Sequence, residues 1–532
     1  MKRMSKKVLA TALLLGLSQP FSVMAADADL QKKMESLEKE LEALKQQMQD
    51  TDRKVDKVEQ KSLGRWLTIG GDYRFRYDYL RGKVAPYFQL NPRNKEADGS
   101  DLFLPVQGQT VKNDSLYTNR FGLNLDAKAT QDVTVHARLL MYKISGARDD
   151  SAIRGENGQA YFSDRAGLFD GTVGHVPGDG TLAVDQVYAT WKNIADQPIW
   201  FSIGRRPSTG GIPSHLKQNN EKPGNSGVPQ LLVDYAFDGV TLGYAPDFES
   251  LPGAYMKLCY GRGFENGITD RQGNGIHDTD MVGVNIVPYD TDNFKAEFQY
   301  NRGINIFNTP VMLSGPFAGS APSVNLGDID WYGLNFLGRV KNAGIGNLHW
   351  FASGALSHTN PTTDTVKVQL QTPIAGFTTP EGVLDTQSGL LWSGQKESKT
   401  GWAVYVGGRY DIEATGTKLG LEYNHGSKDW ITFAPAADDM WTSKVGTRGN
   451  VYEGYLIQEL KLKPISSYLS KTFFKIGYQY YDFDYTGTNN WVGAPVKMAD
   501  LTQASIMGPA NPQMLTPLKN AQNLYATFEV HF

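Results

Sequence analysis

The chain reads as an all-β transmembrane protein, a single antiparallel outer-membrane β-barrel of about sixteen strands preceded by an α-helical coiled coil. Three observations predict this. Apolar and polar residues alternate over segments longer than most soluble strands. The connections between those segments are short and long in turn. A heptad repeat fills the region ahead of them, and no apolar run in the chain reaches the roughly 18 residues of a membrane helix.

In chain order, Lys2, Arg3, Lys6 and Lys7 precede an apolar run from Val8 to Leu17, then Pro20 and the small-residue site Val23-Met24-Ala25. This predicts a signal peptide over residues 1–25. Ala26 rather than Cys follows the expected cut, which argues against a lipid anchor. Loss of those four basic residues takes the formal net charge from −3 to about −7. That balance is too acidic for a nucleic-acid binder and too mild for a disordered chain. Cys259 is the single cysteine, so an internal disulfide is excluded. The absence of Cys-x-x-Cys-His excludes a c-type cytochrome, and no cofactor is expected.

Residues 26–63 are expected to form a periplasmic coiled coil. Leu30, Leu37, Leu44, Thr51 and Val58 fall at d, and Met34, Leu41, Met48 and Val55 at a. Lys33 faces Glu38, Glu40 faces Lys45, and Lys54 faces Glu59, the g-to-e pairing of a parallel homo-oligomer. Leu and Met at a do not separate dimer from trimer; a homotrimer is favoured. Gly64 ends the helix and the barrel takes residues 64–532.

From Leu67 the period becomes two: Leu67, Ile69, Gly71, Tyr73, Phe75, Tyr77 and Tyr79 alternate with Thr68, Gly70, Asp72, Arg74, Arg76 and Asp78. Similar stretches predict strands at 66–79, 116–129, 133–143, 183–193, 198–206, 230–245, 254–262, 280–287, 294–302, 329–341, 347–357, 401–411, 417–427, 447–461, 471–485 and 521–532. Asp238-Gly239 has the form of a hairpin turn, which would give seventeen strands and reverse the loop order in the second half. Reading it as a bulge inside one strand restores the order and accounts for a switch of apolar phase there. Sixteen strands result, with both termini periplasmic and eighteen as the nearest alternative. A propeller or solenoid would need a fixed repeat of about 20–50 residues, which is not found.

Phe201-Ser-Ile-Gly-Arg-Arg-Pro207 and Tyr235-Ala-Phe-Asp-Gly-Val-Thr-Leu-Gly-Tyr244 resemble porin strand segments. With Gly420-Leu-Glu-Tyr-Asn-His-Gly-Ser-Lys428 they more specifically resemble a family of bacterial outer-membrane proteins of unknown function. The apolar alternation Phe528, Val530, Phe532 resembles the C-terminal signal read by the barrel-assembly machinery. The resemblance implies an outer-membrane location and a porin-like barrel with an N-terminal periplasmic coiled coil. It brings no defined substrate or site residues.

Alternation assigns the pore-lining side: Asp72, Arg74, Arg76, Asp78, Arg120, Asp126, Lys128, His136, Arg138, Lys295, Glu297, Arg339, Arg409, Glu422, Lys475 and Glu529. Two readings fit. Arg74, Arg76, Arg120 and Arg138 form a basic wall that prefers anions, or they are barrel-filling ion pairs with Asp72, Asp78, Asp126 and Glu297. The mixed charge favours a wet lumen, although the loops at 80–115 and 358–400 are long enough to fold inward. His277-Asp-Thr-Asp280 and Asp290-Thr-Asp-Asn293 carry oxygen ligands but no EF-hand loop, so turn chemistry accounts for them. No spacing of Ser, His and Asp singles out a catalytic set, so no enzyme is expected.

Two function classes follow. One is a passive porin, a channel for small hydrophilic solutes with a mild anion preference in ion transport. The other is a non-transporting envelope barrel, either a structural anchor or a sheath for a partner such as a multihaem cytochrome.

Overall fold

A computed structural model describes residues 66–91, 102–146, 167–168, 177–178, 180–206, 208–268, 275–309, 311–312, 321–392, 395–434, 439–462, 470–501 and 516–532. The chain divides into two units, Met1–Trp66 and Leu67–Phe532. The expected signal peptide and the coiled-coil positions Leu30, Met34, Leu37, Leu41, Leu44, Met48, Val55 and Val58 lie outside the described residues.

The second unit is a closed antiparallel barrel of sixteen strands. They are β1 Leu67–Val84, β2 Gln109–Lys128, β3 Val133–Ile144, β4 Ala183–Trp191, β5 Ile199–Arg206, β6 Phe237–Tyr244, β7 Tyr255–Phe264 and β8 Thr279–Asp290. The second half contains β9 Phe294–Phe307, β10 Asn325–Ala343, β11 Gly346–Pro361, β12 Thr400–Ile412, β13 Thr417–Gly426, β14 Gly449–Glu459, β15 Lys471–Phe483 and β16 Leu518–His531. Each pairs with its sequence neighbour, and β16 closes on β1 with Phe528 opposite Phe75 and Glu529 opposite Arg74. Closure removes every strand edge, which is what a sheet needs in lipid.

The outer face is apolar. Ile69, Phe75, Leu242, Ile286, Phe298, Leu334, Leu421, Ile476 and Leu524 are all exposed there. Their neighbours in sequence, Arg74, Thr241, Asn285, Gln299, Asn335, Glu422, Lys475 and Asn523, are buried on the inner face. An even-numbered closed barrel with this pattern is a transmembrane barrel of the outer-membrane type. No helix among the described residues is long and apolar enough to cross a membrane.

One element corrects the sequence reading. The strand expected over 230–245 begins only at Phe237. Asp238 and Gly239 pair in regular register with Arg205 and Gly204 on one side and Arg262 and Gly261 on the other, so there is no bulge. The apolar phase changes because Leu231, Val233 and Tyr235 belong to a loop packed in the interior. The count of sixteen stands for a different reason from the one the sequence suggested. Strands β1, β2 and β10 also run further toward the long-loop end than expected, so 80–84 and 109–115 are wall.

The lumen as candidate functional site

Three long connections meet inside the long-loop half of the barrel, with a fourth, 484–517. Leu231, Leu232 and Val233 come from 207–236, Trp430, Ile431 and Phe433 from 427–448, and Leu390 and Leu391 from 362–399. They pack on wall residues Phe237, Phe307, Ile329, Trp331 and Tyr405. A barrel interior is ordinarily polar, so this apolar filling narrows the wet lumen that the mixed charge favoured. Backbone bonds stitch the loops together: Phe433 N–H donates to Leu232 O at 2.9 Å and Leu391 N–H to Trp491 O at 2.8 Å. Three buried indoles also find acceptors: Trp331 donates to Ile431 O, Trp430 to Val445 O, and Trp491 to Phe307 O. Gly401 on β12 lets 427–448 approach, since a Cβ there would stand 2.3 Å from Asp429 backbone atoms. Further along the same loop, Trp441 lies over Gly82 of β1 and donates to Gln522 O of β16 at 2.9 Å. The described parts of this loop therefore touch β10 at one point and β1 and β16 at another.

Loop 207–236 descends furthest. The wall strands grip it through its carbonyl groups, because each extended or turning peptide offers acceptors that a buried cation can satisfy. Arg409 donates to Leu216 O at 2.5 Å, Lys475 to Lys217 O at 3.2 Å, and Lys257 to both Asn225 O and Gly227 O at 2.8 Å. Near the tip, Lys222 pairs with Asp290 at 2.5 Å and Lys418 donates to Asn219 Oδ1 at 2.6 Å. The descending and returning limbs touch at Gly211, where a Cβ would sit 1.7 Å from Val228 O.

Between the two loops lies a buried charge network. Lys444 binds the Glu422 carboxylate and, at 2.7 Å, Glu453. Lys217 reaches Glu453 at 2.6 Å, and Tyr525 donates to the same carboxylate at 2.7 Å. Burial works against the Lys444 charge, but Glu422 and Glu453 outweigh it and hold the ammonium well above the usual lysine range. His215, on the loop's short helical turn, is pushed down to about 3 by burial first, then by the positive charges of Arg409, His349, Lys222 and Lys295.

Most of the residues expected to line the pore are ion-paired. Arg76 pairs with Asp78 at 2.7 Å, and Arg120 and Arg138 share Asp72 at 3.4 and 2.5 Å. Arg138 also reaches Asp185 at 3.4 Å, and Arg74 stacks 5.1 Å from the Tyr142 ring centre. Lys475 pairs with Glu529 at 2.8 Å, Arg409 with Asp411 at 2.7 Å, and Lys295 with Asp290 at 3.3 Å. Glu297 accepts from Asn285 at 2.7 Å, and Arg339 stands 3.8 Å from Glu413. His136 and Asp126 bond at 2.7 Å, while Lys128 is exposed near the rim. The interior is thus nearer the ion-pair reading than the bare basic wall. Parity could have added Asp185, Arg206, Lys257, Asp411 and Glu453 to the inner face. Nothing in the sequence signalled the loop residues Lys217 and Lys444.

The aspartates considered for calcium serve as ion-pair and turn partners: Arg262 binds Asp278, and Lys222 and Lys295 bind Asp290. Among the described residues no group of three or more His, Cys, Asp or Glu side chains could hold a metal.

Two cavities bordered by charged side chains remain at the short-turn end. One, of about 670 Å³, lies along β1–β4 and β16 and carries Asp72, Asp126, Asp185, Glu221 and Glu529 against Arg120, Arg138 and Lys471. The other, of about 520 Å³, lies along β2–β7 and carries Lys192, Arg206 and Lys257 against Asp126. They share Asp126 and flank the two limbs of loop 207–236.

A family model described as "Protein of unknown function (DUF3373)" matches residues 110–532. The chain belongs to this family. No curated protein sequence matches it. Among solved structures the chain is similar to the outer-membrane protein OmpT of Vibrio cholerae in its trimer form, at 12% identity and a TM-score of 0.38, covering 88% of this chain and 99% of that one. An anion-selective porin from Comamonas acidovorans matches at 11% identity and a TM-score of 0.38, covering 88% and 99%. Pseudomonas putida OprB matches at 11% identity and a TM-score of 0.39, covering 88% and 95%.

Proposed function

We propose that this DUF3373 protein is an outer-membrane porin for passive diffusion of small hydrophilic solutes, with a mild anion preference. The observation that carries the reading is the pair of adjoining, charge-bordered cavities sharing Asp126, which leave water-accessible space beside loop 207–236. At the short-turn end, diffusion then follows the β1–β7 side of the lumen, past Asp72, Arg120, Arg138 and His136. In this reading the chain assembles as a homotrimer through the coiled coil of residues 26–63, which stands in the periplasm with both termini. Phe528, Val530 and Phe532 serve as the barrel-assembly signal. Phe528 already packs on Phe474, with ring centres 5.0 Å apart.

The alternative, a non-transporting anchor, keeps the same barrel without flux. The sheath version has less support, because a partner such as a multihaem cytochrome would have to displace loops held by Lys444 and Arg409.

Planar-bilayer conductance of the purified protein under a salt gradient tests the proposal. Stepwise openings in triplets, with a small reversal potential on the anion side, are expected. Neutralising Arg74, Arg76 and Arg138 to Gln is expected to change the anion/cation ratio by less than about threefold, since Arg76 and Arg138 already sit beside carboxylates. A correctly folded barrel that stays silent overturns the porin reading in favour of the anchor.

A further inference from the structure

Arg206 and Lys257 face the 520 Å³ cavity from adjacent parts of the wall, one on β5 and the other on β7. They are only 6% and 5% exposed. Burying two cations is costly unless an anion accompanies them. Among the described residues neither has a carboxylate within ion-pair distance. Arg206 donates from one terminal nitrogen to Tyr260 O at 3.1 Å, and its Nε has no partner. Lys257 holds two neutral carbonyls of the loop. Glu297 is within electrostatic reach of Lys257, but it does not line the cavity, and Lys295 shares it. The acid that does line it, Asp126, is exposed at the edge and bonded to His136.

The rest of the lining suits an oxyanion. Thr190, Ser202, Ser208 and Thr241 bring hydroxyl groups to the same space, and Lys192 adds a further positive charge. Elsewhere in the lower lumen basic side chains of the wall meet carboxylates, as in Arg120 with Asp72 or Lys475 with Glu529. Here the carboxylate is missing while the room for one remains. A guanidinium matches two oxygens of a carboxylate or phosphate, and an ammonium adds a point charge without a fixed geometry.

We propose that this cavity is a binding site for a small dianionic oxyanion, a phosphate or a dicarboxylate, held between Arg206 and Lys257. The site is an equilibrium property of the folded barrel and does not depend on whether the channel conducts.

Cys259 supplies a built-in reporter. It is the only cysteine of the chain, half-buried, and lines the same cavity with Thr241 donating to its sulfur at 3.4 Å. The full-length protein in detergent is alkylated with iodoacetamide in chloride, in inorganic phosphate and in succinate at matched ionic strength. Phosphate or succinate at millimolar concentration is expected to slow Cys259 alkylation severalfold relative to chloride, and whichever protects more identifies the oxyanion class. Anionic thiosulfonate reagents are expected to outpace cationic ones by about tenfold, as a focused positive potential demands. In Arg206→Gln both effects should shrink toward unity, whereas Arg206→Lys should retain part of them. Equal rates in chloride, phosphate and succinate for the wild-type protein overturn the proposal. So does protection that survives intact in a folded Arg206→Gln barrel. Conductance in the bilayer assay is read separately, so loss of binding and loss of transport remain distinguishable.

Discussion

At the long-loop end of the lumen, Trp430, Ile431 and Leu232 are fully shielded from water and pack on Trp331. At the short-turn end, Asp72, Arg120 and Arg138 border a cavity of about 670 Å³. Wall strands β6 and β8–β12 meet the first region, and β1–β4, β15 and β16 border the second. What differs is the loop material brought against them. Apolar loop segments demand apolar wall partners and exclude water, so β6, β9 and β10 carry Phe237, Phe307, Ile329 and Trp331 inward near their upper ends. Lower down the loop presents carbonyls and charged side chains, and the wall answers with Arg409, Lys418, Lys471 and Lys475. The comparison teaches that one barrel can hold a protein-like core and a polar vestibule in series, with ion pairs such as Lys444 with Glu453 at the boundary.

The largest effect is expected from breaking the upper region. Trp430→Ala removes a fully buried indole and its bond to Val445 O, at a cost of about 3–5 kcal/mol to the packed loops. Larger, noisier conductance and new protease cleavage within 427–448 should follow. Unchanged conductance together with unchanged protease resistance would show that this core does not govern the passage.

A somewhat smaller effect is expected at the boundary. Lys444→Met leaves Glu422 and Glu453 without their shared ammonium, although Lys217 still reaches Glu453. The cost is about 3 kcal/mol, because a stranded buried carboxylate is worse than a missing pair. Lys444→Met combined with Glu422→Gln should recover part of the lost thermal stability, whereas a purely steric role for Lys444 predicts no recovery.

The smallest effect comes from acidification, and its sign follows from His215. With the loop inserted its value is about 3, and in a withdrawn, solvated loop it returns to its ordinary value near 6.5. The withdrawn loop therefore takes up a proton first as pH falls. Loop insertion is fully stable above about pH 6.5 and weakens progressively below it, by up to about 2 kcal/mol at pH 5. Protease sensitivity of 207–236 should rise on going from pH 7 to pH 5, and His215→Gln should flatten that response. An identical pH response in the variant would assign it to other groups.

The barrel itself was legible in the sequence to a large degree. Alternation in Leu67 to Tyr79 or Phe294 to Tyr300 reports directly which side meets lipid, because a two-residue period has only two faces. Closure by the segment ending at Phe532 followed from the same pattern, whereas the count of sixteen rested on a bulge at Asp238-Gly239 that the structure does not contain. The candidate site was legible only in part. Arg206 and Lys257 stand at inner-face positions of predicted strands, yet their lack of a carboxylate is a fact about neighbours distant in sequence.

The sequence by itself thus determined the wall: its strand periodicity, its apolar outside and its polar inside, all set by local alternation against two solvents. Only the tertiary structure decided what fills it. Leu231 to Tyr235 looked like strand because an inserted apolar loop and a lipid-facing strand both need residues that leave water. Whether such residues meet lipid or Phe433 and Trp331 depends on contacts spanning 100 to 200 residues, which no local pattern encodes. The pairing of Arg138 with Asp72, 66 positions apart, likewise turned an apparent basic wall into a balanced one.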